Sequence, residues 1–167
     1  MGYRGRRMFD FAPDPGLDRE DLYRELATAA RALVDGESDA VANMANLAAL
    51  VWQFVPRLNW AGFYRVVGGE LVLGPFIGKP ACIRIPFGKG VCGAAAASGR
   101  TQLVPDVHLF PGHIACDGAS RSELVVPVLR GGAVIAVIDL DSPEPDRFDA
   151  LDARGIEALA ALAATAI

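Results

Sequence analysis

The sequence predicts an α+β fold, an antiparallel sheet with helices laid on one face. Three observations lead there. Two consecutive segments near the start carry apolar residues at helical spacing. The middle is β-rich and punctuated by the diglycines Gly68-Gly69 and Gly131-Gly132, each between apolar runs. A further helical pattern closes the chain. Runs of helices and strands in this order, without strict βαβ alternation, favour an antiparallel sheet.

The elements follow in order. Residues 1–16 read as a flexible lead-in, basic at Arg4, Arg6 and Arg7 and then broken by Pro13 and Pro15. Leu17, Leu22, Leu26, Ala29, Ala30 and Leu33 mark a first helix that Gly36 stops. Ser38 is a candidate N-cap for a second, carrying Val41, Met44, Ala48, Val51 and Trp52 and ending before Pro56. Trp60 to Val67 reads as a strand, with Leu71 to Phe76 returning beside it. Cys82 to Pro86 is a further short strand, and Gly99 is placed to end a short alanine-rich helix from Gly90. Gln102 to Val104 is a candidate strand, and His108 to Ser122 is a loop of turn residues. Glu123 to Leu129 and Ala133 to Asp139 form the strongest hairpin, before a helix from Asp149 to Ala164. No repeat and no long linker divides residues 17–167, which read as a single domain.

Composition excludes several classes. A chain this long buries roughly two-thirds of its unfolded surface and needs no staple. The net charge of −4 gives no reason to expect nucleic acid or an anionic membrane. Apolar runs such as Ala133 to Ile138 fall far short of a membrane span, and the basic start is not followed by an apolar stretch as in a signal peptide. A cytoplasmic protein is expected, in a compartment that keeps thiols reduced.

That setting gives weight to the three cysteines, Cys82, Cys92 and Cys116. Their clustering favours chemistry or metal over a structural disulfide, against the plainer reading of small buried apolar residues. Cys92 opens a short helix, where the dipole favours a thiolate. Cys116 lies in a glycine-rich polar loop that can approach a second thiol. A zinc site built from these cysteines with His108 and His113 lacks any Cys-x-x-Cys knuckle, and both histidines also fit as loop residues.

Carboxylates form the second group. Asp139 and Asp141 are two apart on one strand and therefore share a face. Counting outward from Gly131-Gly132 places Glu123 opposite or near them. If buried, three clustered acids raise at least one pKa through desolvation and repulsion, leaving a carboxyl able to protonate an oxygen; strand-end acids facing solvent are the alternative. Trp60 and Tyr64 share a strand face, and their polar tips suit a ligand wall, while Phe63 reads as core.

The same residues lie in motifs that resemble the family of free methionine-(R)-sulfoxide reductases, stand-alone GAF domains. Asn59-Trp60-Ala61-Gly62-Phe63-Tyr64, Leu73-Gly74-Pro75-Phe76, Arg84-Ile85-Pro86 and Gly90-Val91-Cys92-Gly93 are similar to it. So are Asp106-Val107-His108, Gly112-His113-Ile114-Ala115-Cys116-Asp117, Ser122-Glu123 and Asp139-Leu140-Asp141-Ser142. The resemblance runs from about residue 17 to the end. Pro80, Ala94 and Gly118 depart from the pattern without removing a reactive group.

The resemblance implies a six-stranded antiparallel GAF sheet with helices on one face and an enclosed pocket on the other. It implies Cys116 as nucleophile, Cys82 as resolving thiol and Cys92 as an alternative partner. Glu123, Asp139 and Asp141 would hold the substrate, with Trp60 and Tyr64 around its methyl-sulfinyl end. The implied substrate is free methionine-(R)-sulfoxide and the implied reductant is thioredoxin-type, with no metal or organic cofactor. A homodimer is compatible with such a fold. Two other classes stay open from the residues: a ligand-sensing module that binds without turnover, and a structural zinc protein.

Overall fold

The computed structural model describes residues 11–114 and 117–167. Helix α1, Arg19–Val34, starts at Asp18, whose side chain accepts from the Asp21 N–H. Helix α2, Ala40–Phe54, is capped by Asp39, which accepts from Ala42 N–H; Ser38 is not the cap. The Ser38 N–H is instead taken up by Glu37, so the chain turns into the helix one residue later. Helix α4, Ala150–Ala166, opens with a capping box in which Asp149 and Asp152 satisfy each other's backbone donors.

Six strands form one sheet: β1 Trp60–Val67, β2 Glu70–Gly78, β3 Arg84–Pro86, β4 Gln102–Val104, β5 Ser122–Arg130 and β6 Ala133–Ser142. The order is β3-β2-β1-β6-β5-β4, and every pairing is antiparallel. Both expected diglycine hairpins are present, and all four glycines have positive φ, as such tight turns require. The expected loop from His108 contains part of a short 3₁₀ turn, Val107–Leu109, seated on Asp106.

Helices α1, α2 and α4 cover one face of the sheet. Phe63, Leu124, Val126, Ile138 and Leu140 point into them and are essentially unexposed. Burial of each such side chain stabilises the fold by roughly 1.5–3 kcal/mol. In α2 the buried row is Met44, Leu47, Ala48, Val51 and Phe54. Val41 and Trp52, expected on that face, are 54% and 37% exposed. The helix is apolar nearly all round, so its periodicity does not choose a face; the fit against the sheet does.

The fourth helix, α3, Gly90–Ser98, packs on the opposite face through Val91, Cys92, Ala95 and Ala96, and Gly99 ends it in the left-handed region at φ 63°. Among the described residues no helix is long and apolar enough to cross a membrane.

Candidate functional site

Strand register builds the site on the α3 face. Asp141 of β6 pairs with Trp60 on one side and Glu123 on the other. Two residues along, Asp139 pairs with Gly62 and Val125. Opposed residues of an antiparallel pair share a face, so the three acids and Trp60 project together. Gly62 is required there: a Cβ would sit 2.4 Å from Phe76 Cβ. Its absence lets β2 bend over β1 and stack the Phe76 ring on Trp60, 5.1 Å between centroids.

The acids line a pocket, with Tyr64, Cys92, His113 and Asp117 among its other walls. Glu123 and Asp139 are each only 6% exposed. Burial, then the neighbouring acids, pushes Glu123 well above the carboxylate range. Asp141 is raised by burial and by Asp139, with a hydrogen bond from Ser120 opposing. Asp139 is pushed up by burial to about 7, and hydrogen bonds from Cys92 and Glu123 limit the rise. All three carboxyls are thus pushed above the usual carboxylate range, chiefly by burial. Asp139 Oδ1 is buried without a hydrogen-bond partner among the described residues. A site of this kind can hydrogen-bond or protonate an oxygen and can hold a cation.

The cysteines separate. Cys116 and Ala115 lie outside the described residues, as do residues 1–10 of the expected lead-in. Cys82 is disulfide-bonded, and Cys92 is the free cysteine among the described residues. Cys92 Sγ lies 4.0 Å from Glu123 Oε1. The expectation that a helix N-terminus makes Cys92 a thiolate is overturned: burial first, and then Asp139 and Glu123, push its thiol well above the usual value. A helix dipole contributes about 0.3–1 kcal/mol, whereas full burial shifts a pKa by as much as roughly 3–5 units.

Tyr64 lines the pocket and Trp60 an adjoining cavity, and the polar tips of both are already engaged. Trp60 Nε1 donates to the Lys79 carbonyl at 3.1 Å, and the Tyr64 hydroxyl donates to the Cys82 carbonyl at 3.0 Å. What they present to the pocket is ring surface; the tips fix the 79–82 segment. Phe63 lies in the helix-side core, as expected.

Several rim residues escaped the sequence reading. Asn59 Nδ2 donates to Asp117 Oδ2 and to Ser120 Oγ. Asp117 also accepts from Ala119 N–H, which with Asn59 and Lys79 holds its carboxyl below the usual range. Lys79 Nζ is 3.5 Å from Asp117 Oδ1, and Lys89 lines the pocket. These are the only two lysines beside fourteen arginines, and that rarity was the one available signal.

The residues considered for the zinc alternative do not come together, and a different set of metal-compatible side chains does. His108 is exposed, and the half-buried His113 has its imidazole pKa lowered by burial. The disulfide leaves Cys82 no thiolate with which to ligate. The group whose donor atoms approach within 4.8 Å of one another is Cys92, Glu123 and Asp139. That set could take a divalent ion once deprotonated, and the burial that retains its protons opposes this.

Comparison with other proteins agrees with this architecture. The chain is 52% identical over 153 residues to Protein ZMO0507 of Zymomonas mobilis, spanning 91% of this chain and 94% of that one. It is 45% identical over 145 residues to the Escherichia coli protein named free methionine-R-sulfoxide reductase, spanning 87% and 88%. Its fold is similar to the structure of free methionine-R-sulfoxide reductase from Neisseria meningitidis in complex with its substrate, with TM-score 0.89, 43% identity and 94% and 95% coverage. The GAF domain profile matches residues 16–167, almost the whole sheet-and-helix unit described above. This chain belongs to the GAF domain family.

Proposed function

We propose that this protein reduces free L-methionine-(R)-sulfoxide to L-methionine. The observation that carries the reading is the buried trio Glu123, Asp139 and Asp141, whose carboxyls are raised above the usual range, in a pocket lined by Tyr64 beside a smaller cavity that Trp60 shares with Asp139 and Asp141. A sulfoxide oxygen is a poor leaving group until protonated, and a carboxyl of raised pKa supplies that proton. The relatives named free methionine-R-sulfoxide reductase support the same substrate.

In this mechanism the Cys116 thiolate attacks the substrate sulfur. A Cys116–substrate S–S bond forms as the protonated oxygen leaves as water; a water then attacks the Cys116 sulfur, that S–S bond breaks, methionine departs, and Cys116 is left as a sulfenic acid. The substrate sulfur gains two electrons and Cys116 loses them. The Cys82 thiol then condenses with the sulfenic acid, forming a disulfide and releasing water. The disulfide seen at Cys82 and the raised pKa of Cys92 favour Cys82 over Cys92 as the resolving thiol. A thioredoxin-type dithiol resets the enzyme in a reducing compartment, the cytoplasm, and no metal or organic cofactor enters any step.

The test is methionine release from the free sulfoxide with dithiothreitol, comparing wild type with Cys116→Ser. Turnover by the wild type and none by the variant is expected. Unchanged turnover in the variant removes Cys116 as nucleophile, and tight binding without turnover in the wild type replaces the enzyme with a ligand-sensing module.

A further inference from the structure

Three segments distant in sequence close a ring at the pocket rim. Trp60, the first residue of β1, holds the backbone of Lys79 through its indole N–H. The Lys79 ammonium reaches across to Asp117 Oδ1 at 3.5 Å. Asp117 Oδ2 returns to the start of β1 by accepting from Asn59 Nδ2 at 3.2 Å. That amide also donates to Ser120 Oγ, so both its protons are used by the 117–120 segment. A carboxylate only accepts, which fixes the nitrogen of Asn59 toward Asp117. The acid–base chemistry above uses none of these three groups.

Their placement relative to the cysteines gives the ring its meaning. Lys79 lies three residues before Cys82, whose carbonyl is pinned by Tyr64. Asp117 directly follows Cys116 in the chain. The Lys79–Asp117 contact therefore ties the Cys82 segment to the segment that continues from Cys116, and Asn59 ties both to the rigid sheet.

We propose that Asp117, clasped by Lys79 and Asn59, is a positioning device that sets the rate at which the two cysteine segments join in a disulfide. It rests on the reductase reading for its biological purpose. The step it governs is self-contained: the Cys82 sulfur displaces the hydroxyl of the Cys116 sulfenic acid, the S–S bond forms, and hydroxide leaves with the thiol proton as water. The clasp acts on proximity, since holding two reacting groups near their attack geometry removes part of the entropic barrier.

The experiment uses the full reduced chain without external reductant, in two arms. One equivalent of free methionine-(R)-sulfoxide generates the sulfenic acid with methionine release. One equivalent of hydrogen peroxide generates it directly, with loss of water. In each arm, dimedone trapping reports the sulfenic acid and a thiol count reports the disulfide. Lys79→Met loses one exposed ion pair and slows disulfide formation about two- to fivefold. Lys79→Arg retains the wild-type rate. Asn59→Asp sets two carboxylates face to face and slows it about tenfold or more, the equivalent of one hydrogen bond to a charged group. Methionine release stays within about twofold in the two Lys79 variants, whose side chain meets Asp117 at the rim; in Asn59→Asp, which also loses its contact to Ser120 beside Asp141, disulfide formation falls further than methionine release. Added salt slows the wild-type disulfide step and leaves Lys79→Met unaffected. Wild-type disulfide rates in both Lys79→Met and Asn59→Asp overturn the proposal, as does an equal fall in methionine release and disulfide formation. Failure of methionine release in the wild type overturns the reductase reading alone, since the peroxide arm still measures the clasp.

Discussion

Two clusters of ionisable side chains are buried in this molecule, and they are built on opposite logic. Between the helices, Asp152 is 1% exposed and fully partnered. Arg147 donates to one carboxylate oxygen at 3.1 Å, Arg19 and the Tyr23 hydroxyl to the other at 2.9 and 2.6 Å. Arg147 also donates twice to the Pro56 carbonyl. Across the sheet, Glu123, Asp139 and Asp141 face one another, a thiol, a tyrosine, a serine and Asp117. The first cluster compensates its charge with cations and locks α1 and α4 together. Among the described residues no cation forms an ion pair with the second, and burial raises its carboxyls instead. A buried acid with its own cation is structural; a buried acid without one is poised to bind or protonate something that arrives.

The sharpest test of that contrast is Asp139→Asn. Loss of the group that mediates proton sharing in the trio should lower turnover by about 10²–10⁴-fold, the range of general acid–base effects. The same variant should be more stable at neutral pH. Below pH about 4 both folded and unfolded wild type carry the Asp139 proton. Between about 4 and the folded value of about 7, the unfolded chain gives up that proton while the folded one keeps it. Folding of the wild type therefore weakens as pH rises through this window. The melting temperature of Asp139→Asn relative to wild type should climb from pH 4 to 7 and level off above it. A gap that shrinks over this range would mean that Asp139 is ionised in the folded protein by a partner. The groups facing it are Tyr64 from β1, Cys92 from α3, Glu123 from β5, and Asp141 beside it on β6.

The opposite result is expected at the compensated cluster. Asp152→Ala leaves Arg147 buried beside only the Pro56 carbonyl and should reduce unfolding free energy by about 3–5 kcal/mol. Turnover per folded molecule should stay near wild type, because the cluster lies on the helix side of the sheet. Denaturant titration and activity normalised to folded fraction read the two quantities separately. A large fall in normalised activity would join the two clusters into one functional unit.

Much of this architecture was legible because it rests on local signals. β1 begins at Trp60 and ends at Val67 as the pattern predicts, and the period-two alternation on β6 correctly placed Asp139 and Asp141 on one face. Counting from the Gly131-Gly132 turn put Glu123 beside them, and the register sets it opposite Asp141. What was not legible came from contacts between distant segments. The Asn59–Asp117 hydrogen bond spans 58 residues and the Trp60–Lys79 bond spans 19, and no periodicity encodes either. The state of Cys92 was misjudged for a related reason: its place at a helix start is local, while its burial against Glu123 and Asp139 comes from the folding of β5 and β6 onto α3.

The smallest expected effect separates two roles for one residue. Tyr64 lies in the pocket wall, yet its hydroxyl donates to the Cys82 carbonyl. Tyr64→Phe keeps the ring and removes only that bond. If the hydroxyl is a tether, the variant should lose about 1 kcal/mol, a melting shift of roughly 2–4 °C at this size. Its KM for the sulfoxide should stay within about twofold, because uniform binding by the ring is intact. A raised KM with an unchanged melting temperature would instead assign the hydroxyl to the ligand, and would mean that the tether yields when the pocket is filled.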